Sequence, residues 1–145
     1  MSTPDVAGDG IAPIDRSIRT AADPEIAWRT ITEPARISLW FTDATPLGPV
    51  GSEYRLDFGD GSIVSGTVVV HEPGRRFVHT WAWAGGEPGE VTRVEWSVVP
   101  EPGGGSTVRI VHDGWAAAGG ESARDDHDAY WAGYLDDLGD VLGES

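Results

Sequence analysis

The period of the apolar residues changes along this chain, from two in its middle to about 3.6 near its end. In several runs between residues 54 and 112, apolar side chains alternate with polar ones. Such alternation predicts antiparallel strands with one apolar face and one face in water. After residue 128 the apolar spacing becomes four, three and four, at Trp131, Leu135, Leu138 and Leu142, which predicts an amphipathic helix. A one-sided sheet needs a cover, and this helix carries the matching stripe.

Two helix-start signals stand between a first strand and the alternating runs. Residues 14–19 can form a strand, and Asp23 then suits the N-cap of a helix whose first turn holds Pro24. Pro34 opens a second short helix. The sequence therefore predicts one α+β domain over residues 13–145: a strand, two short helices, about six antiparallel strands and a long helix over 125–142. A curved sheet wrapped around this helix would leave a space between them, open at one end.

Charge and composition narrow the classes of partner. The chain has 24 acidic and 10 basic residues, a net charge of −14, which argues against nucleic acid because phosphate binding needs clustered positive charge. Cysteine is absent, which removes disulfides and thiol chemistry. With no apolar run of membrane-spanning length and no signal-peptide pattern, we expect a soluble cytoplasmic protein and no membrane partner. Residues 1–12, rich in Gly, Pro and Asp, are predicted to form a disordered tail.

Aromatic side chains concentrate on the predicted inward faces, and seven of them are tryptophans. Such a set forms either a heavily aromatic core or the wall of a cavity for flat or unsaturated ligands. We assign Trp28 and Trp131 to the core. The candidate ligand-binding residues are Trp40, Phe58, Phe77, His79, Trp81, Trp83, Trp96, His112, Trp115, Tyr130 and Tyr134.

Two of these candidates, His79 and His112, carry titratable rings on inward strand faces. They could orient a polar group of a ligand or act as acid and base near neutral pH. Each could equally be hydrogen-bonded within the sheet. The spacing of the four histidines does not match a metal site, and residues 125–128 fit a solvated helix start better than a cation site. We expect no metal and no cofactor.

Several segments resemble those of a known family. They are Pro24-Glu25-Ile26-Ala27-Trp28, Thr32-Glu33-Pro34, Leu39-Trp40-Phe41, Gly66 with Val68, Glu72-Pro73, Thr80-Trp81, Val94-Glu95-Trp96, His112-Asp113-Gly114-Trp115, and His127 with Trp131, Leu135 and Leu138. Across roughly residues 13–143 the chain resembles the homologues of the activator of the heat-shock-protein ATPase, within the START-like superfamily. The resemblance implies the helix-grip fold, also known from Bet v-like proteins.

The resemblance is less specific for function. Superfamily members bind lipids, hormones or polyketides, some cyclise aromatic polyketides, and one activates a chaperone, so fold alone does not settle the activity. A few small relatives protect producers of enediyne antibiotics by sacrificing their own backbone to the drug's diradical. On that interpretation Gly114 is the candidate for cleavage; otherwise this glycine turns the backbone out of the strand.

Taken together, the residues and the resemblance predict binding of a sizeable hydrophobic small molecule, aromatic or polyene-like, in an internal cavity. Antibiotic self-resistance by sequestration or self-sacrifice is the sharpest version, without turnover. Two alternatives stay open: a polyketide cyclase or hydratase that uses His79 and His112, and a co-chaperone-like interaction module. We expect a monomer or a weak homodimer.

Overall fold

The elements follow the predicted order of one strand, two short helices, six further strands and a long helix. The structure, a computed structural model, describes residues 11–87 and 89–143. Its elements are β1 (Ile14–Thr20), α1 (Pro24–Thr32), α2 (Pro34–Ile37), β2 (Asp43–Ala44), β3 (Glu53–Asp57), β4 (Ile63–Glu72), β5 (Arg76–Trp83), β6 (Thr92–Pro100), β7 (Ser106–Asp113), a 3₁₀ turn (Trp115–Ala117) and α3 (Gly120–Gly143).

All seven strands belong to one sheet, in the order β1-β7-β6-β5-β4-β3-β2. Every neighbouring pair is antiparallel. The sheet curls into a half-barrel against α3, which confirms the predicted α+β helix-grip architecture. The strands carry the alternating burial that their sequence predicts, most regularly in β6 and β7.

The apolar stripe of α3 supplies the cover of the sheet. Trp131, Leu135, Leu138 and Leu142 are all at most 3% exposed. Burial of a side chain of this size contributes about 1.5–3 kcal/mol. On the sheet side, Tyr54 of β3 lies opposite Gly66 of β4. A Cβ at Gly66 would lie 2.2 Å from the carbonyl oxygen of Thr80, so only glycine permits the close approach of β4 and β5 there.

The ends of the helices differ in detail from the expectation. Asp23 occupies the N-cap of α1, but its side chain makes no capping hydrogen bond, so Pro24 is the stronger start signal. The long helix begins at Gly120, five residues before the predicted start. Asp128 is therefore not part of a solvated helix start: it lies inside α3 and accepts hydrogen bonds from Arg16 of β1 at 2.7 and 3.1 Å.

The predicted disordered tail falls mostly outside the described residues. Its last two positions are described, and the side chain of Ile11 packs against the core. Arg124 of α3 donates hydrogen bonds to the carbonyl oxygens of Ala12 and Pro13. Ile11 and Ala12 thus contact the rest of the fold. None of the helices in the described ranges combines the length and apolar character needed to cross a membrane.

Candidate functional site

Two adjacent spaces, which share the lining residues Phe41, Trp81 and Trp131, lie between the sheet and α3. The inner pocket has a volume of about 50 Å³, and the outer groove about 380 Å³. The pocket is lined by Ile31, Thr32, Ile37, Trp40, Phe41, Ala44, Thr45, Leu47, Tyr54, Leu56, Phe77, His79, Trp81, Trp96 and Trp131. The groove is lined by Phe41, Thr42, Phe58, Asp60, Ser62, Trp81, Trp83, His127, Tyr130, Trp131 and Tyr134.

Only one of the two spaces is large enough to hold a small-molecule ligand. A water molecule needs about 10–15 Å³, so the inner pocket has room for only a few waters. The groove falls within the roughly 300–1,000 Å³ typical of small-molecule sites. The single large internal cavity that we expected is divided because aromatic rings fill the middle. Phe41 is central: its ring centroid lies 4.6 Å from that of Tyr134 and 5.3 Å from that of Trp131.

Four segments build the groove, and the first is the chain between α2 and β2, which carries Phe41 and Thr42. The β3–β4 turn brings Phe58 and Asp60 to one side, and β5 contributes Trp81 and Trp83. From α3 come Tyr130 and Tyr134, which are four residues apart and therefore lie on one face of the helix. The groove thus offers aromatic rings from both the sheet and the helix, where a flat molecule could stack between them.

Trp81 brings an unpaired hydrogen-bond donor to the site. Its side chain is 4% exposed, and it lines both the pocket and the groove. Its Nε1 is the one buried side-chain nitrogen or oxygen in the described part of the chain that has no hydrogen-bond partner. An indole N–H can only donate. A buried donor without an acceptor costs about 1–3 kcal/mol, so this group calls for an explanation.

His79 supplies the complementary acceptor. Its Nδ1 lies 3.1 Å from the carbonyl oxygen of Thr80. A carbonyl only accepts, so Nδ1 carries the proton and Nε2 keeps its lone pair. Within the described residues Nε2 makes no hydrogen bond. Burial lowers the pKa of His79 to about 4, so the ring is neutral at physiological pH. The inner pocket therefore holds a free donor on Trp81 and a free acceptor on His79.

His112, the other candidate acid or base, is fully engaged. It is 0% exposed, and its Nδ1 accepts from Trp131 Nε1 at 3.0 Å. Its proton therefore lies on Nε2, which is 2.6 Å from Oγ1 of Thr92. Burial, together with His127 and His79, holds its pKa well below the usual range. With both nitrogens paired, His112 ties α3 to the sheet and has no free group for a ligand.

His127 pairs in the opposite sense at the groove. Its Nδ1 donates to the carbonyl oxygen of Ala123 at 2.8 Å, and its Nε2 accepts from Trp83 Nε1 at 3.0 Å. Burial lowers its pKa, so the ring stays neutral and orients the indole of Trp83. The sequence placed Trp83 in the site but gave no reason to expect this histidine beside it.

The predicted site residues separate into three groups. Trp40, Phe77, His79, Trp81 and Trp96 line the inner pocket, whereas Phe58, Trp81, Trp83, Tyr130 and Tyr134 line the groove. His112 and Trp115 line neither space: Trp115 is 1% exposed and donates its indole N–H to the carbonyl oxygen of His112. Trp131, assigned to the core, is buried and also lines both spaces.

Gly114 lies apart from these aromatic walls. It borders a separate shallow depression, together with Val91 and Asp113. Its φ of 102° is in the left-handed region, and an added Cβ would lie 3.3 Å from Cα of Thr92. The bend at the end of β7 therefore accounts for this glycine by itself.

Phe41, Asp60 and His127 belong to the site and were missed by sequence reasoning. Phe41 follows a short helix with no regular period, and Asp60 sits in a turn, where alternation gives no direction. His127 was assigned to an acidic helix start and to a segment that resembles the family, but not to the site. Among the described residues there is no group of three or more His, Asp or Glu side chains that could hold a metal ion.

Comparison with known proteins identifies the fold family. The model of the family described as activator of Hsp90 ATPase homolog 1-like protein matches residues 21–143. The chain belongs to this family. A comparison with curated protein sequences finds no significant match.

Several solved structures superpose well on this chain. DynU16, a protein of the dynemicin biosynthetic locus, has a TM-score of 0.79 at 23% identity over 90% of this chain and 46% of DynU16. CalU16 from Micromonospora echinospora has 0.73 at 26% identity over 90% of this chain and 75% of its own. The Aha1 dimer from Colwellia psychrerythraea has 0.74 at 23% identity, covering 92% and 97%. This family member thus spans about half the length of DynU16.

Proposed function

We propose that this protein binds a flat hydrophobic small molecule, aromatic or polyene-like, in the outer groove. The observation that carries the proposal is the unpartnered N–H of Trp81 at the junction of groove and pocket. An acceptor atom on the ligand would pair with it, while the surrounding rings stack on the ligand's faces. A buried donor that costs stability without a ligand is typical of a binding site rather than of a core.

The sharpest version of the proposal is self-resistance in a producer of natural products. Its support is the likeness to DynU16 and CalU16, which both come from enediyne loci. A protein that holds an enediyne between aromatic walls keeps it from its targets without turnover. Since the chain spans 46% of DynU16, any shared activity is part of the proposal.

Self-sacrifice at Gly114 is the second form of the same proposal. A bound radical takes the nearest suitable hydrogen, so proximity decides where the backbone breaks. Gly114 borders a depression separate from the groove, which favours sequestration over cleavage at this glycine. Incubation with a reductively activated enediyne separates the two forms by mass spectrometry. Intact protein with protected DNA indicates sequestration, and two fragments divided near Gly114 indicate self-sacrifice.

The alternatives have less support from the geometry. A cyclase or hydratase would need both His79 and His112 as acid and base. His112 has no free nitrogen for this role, because both of its nitrogens are hydrogen-bonded within the protein. His79 alone keeps a free nitrogen. A co-chaperone-like module would bind its partner through an outer surface. Binding through an outer surface gives no role to the free N–H of Trp81 inside the fold.

The test uses two ligands of the same three-ring outline. Anthraquinone has carbonyl acceptors, and anthracene has none. We expect tryptophan fluorescence titrations to show tighter binding of anthraquinone. Trp81→Phe, which keeps a ring but removes the donor, should remove that difference, whereas Trp28→Phe should leave it unchanged because Trp28 lines neither space. Failure of both ligands to bind would overturn the proposed function.

A further inference from the structure

We infer that the outer groove is built for a ligand with a protonated amine, which would lie over the aromatic rings beside Asp60. This inference rests on the proposed function and adds the chemical class of the ligand. It follows from the groove's aromatic faces, its unpaired carboxylate and the lack of any compensating positive charge.

The carboxylate of Asp60 is ionised and has no cationic partner. Its Oδ1 accepts a hydrogen bond from the backbone N–H of Ser62 at 2.9 Å, which lowers the pKa of Asp60. No ion pair among the described residues includes Asp60. By contrast, Asp15 and Asp128 bind Arg109 and Arg16. Asp60 is thus an exposed negative group on the groove wall with no cationic partner among the described residues, and an external cation can reach it.

The rings around Asp60 suit a cation better than an anion. The faces of Trp and Tyr carry negative partial charge and attract ammonium groups within about 6 Å. Trp83 and Phe58 have centroids 5.5 Å apart at this wall, and Tyr134 of α3 lines the same groove. His127 is neutral, as its two hydrogen bonds require. Among the groove-lining residues of the described chain there is no arginine, and the sequence has no lysine.

On the α3 side of the groove the electrostatic potential is also negative. Burial is the main cause that raises the pKa of the Tyr134 hydroxyl. The charges of Asp137 and Asp60 raise it further, because both carboxylates oppose a second negative charge there. Both carboxylates would attract a cation that enters the groove. The overall charge of −14 adds a weak long-range attraction, screened by salt.

The buried N–H of Trp81 is an independent sign of a ligand, and it fixes the ligand's direction. Trp81 lies at the inner end of the groove, whereas Asp60 lies in the β3–β4 turn at its wall. The ligand therefore places an acceptor atom inward and its ammonium group toward the turn. An aromatic body between the two groups would stack on the rings that line the groove.

The test compares three anthraquinone derivatives, whose ring carbonyls can accept from Trp81, that carry an aminomethyl, a hydroxymethyl or a carboxylate group. We expect calorimetry to show roughly tenfold tighter binding of the ammonium than of the alcohol, and still weaker binding of the carboxylate. The advantage of the ammonium should shrink as sodium chloride is raised. Asp60→Asn, which can keep the bond from Ser62, should abolish that advantage without changing the alcohol's affinity.

Asp140→Asn is the matched control, because it removes the same charge from an exposed residue of α3 outside the groove. It should preserve the preference for the ammonium. Equal affinity of ammonium and alcohol for the wild type, or an equal effect of both variants, would overturn the inference while leaving the proposed function intact. If none of the three compounds binds, both proposals fail together.

Discussion

Trp131 of α3 donates its indole N–H to Nδ1 of His112 on β7 across 3.0 Å, and both residues are almost completely buried. This bond joins the long helix to the sheet and fixes the proton of His112 on Nε2. From there the network continues to Oγ1 of Thr92 at 2.6 Å. The core is thus held by directed polar contacts as well as by apolar packing.

Trp131→Phe should therefore cost more than the loss of ring volume. It leaves Nδ1 of His112 without a donor, and an unpaired buried acceptor costs about 1–3 kcal/mol. Urea unfolding measures the difference in the free energy of unfolding. Trp28→Phe is the matched control, since the Trp28 indole makes no hydrogen bond within the described residues. Equal losses in the two variants would show that the bond to His112 contributes nothing.

The free energy of unfolding should fall as the pH drops from about 6.5 to about 4. Burial lowers the pKa of His79 from 6.5 to about 4, so in this range the unfolded chain binds a proton that the folded protein does not. At 1.36 kcal/mol per pH unit, the full effect is on the order of 3 kcal/mol. Below about pH 4 both states are protonated, and His79 causes no further loss.

Denaturant titrations at pH 7 and pH 5 measure this dependence. His79→Gln should make the stability less sensitive to pH in this window, whereas His71→Gln serves as the control. The pKa values of His112 and His127 are also lowered, so some dependence should persist in the His79 variant. An unchanged slope in His79→Gln would contradict the assignment.

Phe41→Ala should join the inner pocket to the groove. The ring of Phe41 lines both spaces and contacts Trp131 and Tyr134, so its removal opens a passage between them. We expect a loss of about 2–4 kcal/mol in stability together with stronger binding of longer ligands. Unfolding and fluorescence titration measure the two effects. Leu39→Ala, at a neighbouring position that is 63% exposed, should change neither.

Gly114→Ala should destabilise the fold without affecting ligand binding. A residue other than glycine at φ 102° costs about 1–3 kcal/mol, and the new Cβ would lie 3.3 Å from Cα of Thr92. Gly89→Ala is the control, since its Cβ would meet nothing within 4 Å. Thermal unfolding and a ligand titration at a temperature where the variant is folded provide the readouts. A strong loss of affinity would place Gly114 closer to the ligand than the structure does.

Much of the fold could be predicted from the periods of the apolar residues. The stripe from Trp131 to Leu142 marked the covering helix, and alternation marked the long strands. The two-residue strand β2 is too short to show a period. The start of α3 was placed late because its first turn, from Gly120, has no apolar stripe and resembles a loop.

The site was harder to predict. Alternation along a strand shows which side chains point inward, but not which of them line a pocket and which are sealed in the core. His112 and Trp81 both point inward from adjacent parts of the sheet. His112 lies under Trp131 and is sealed, whereas Trp81 reaches the junction of the two spaces. Only the packing of α3 distinguishes them. The same packing brings His127 to Trp83, a contact between residues that are 44 positions apart in the chain.

The dense packing of the indoles also has an optical consequence. The ring of Trp131 lies between those of Trp81 and Trp96. Its centroid is 5.4 Å from that of Trp81 and 5.7 Å from that of Trp96. Trp83 lies 5.8 Å from Trp81, and Trp40 lies 5.8 Å from Trp96, so five indoles form one cluster. Electronic transitions of chromophores this close are coupled, so light absorbed by one indole is shared among all five. The protein therefore carries a single composite chromophore whose near-ultraviolet circular dichroism reports the geometry of the whole cluster.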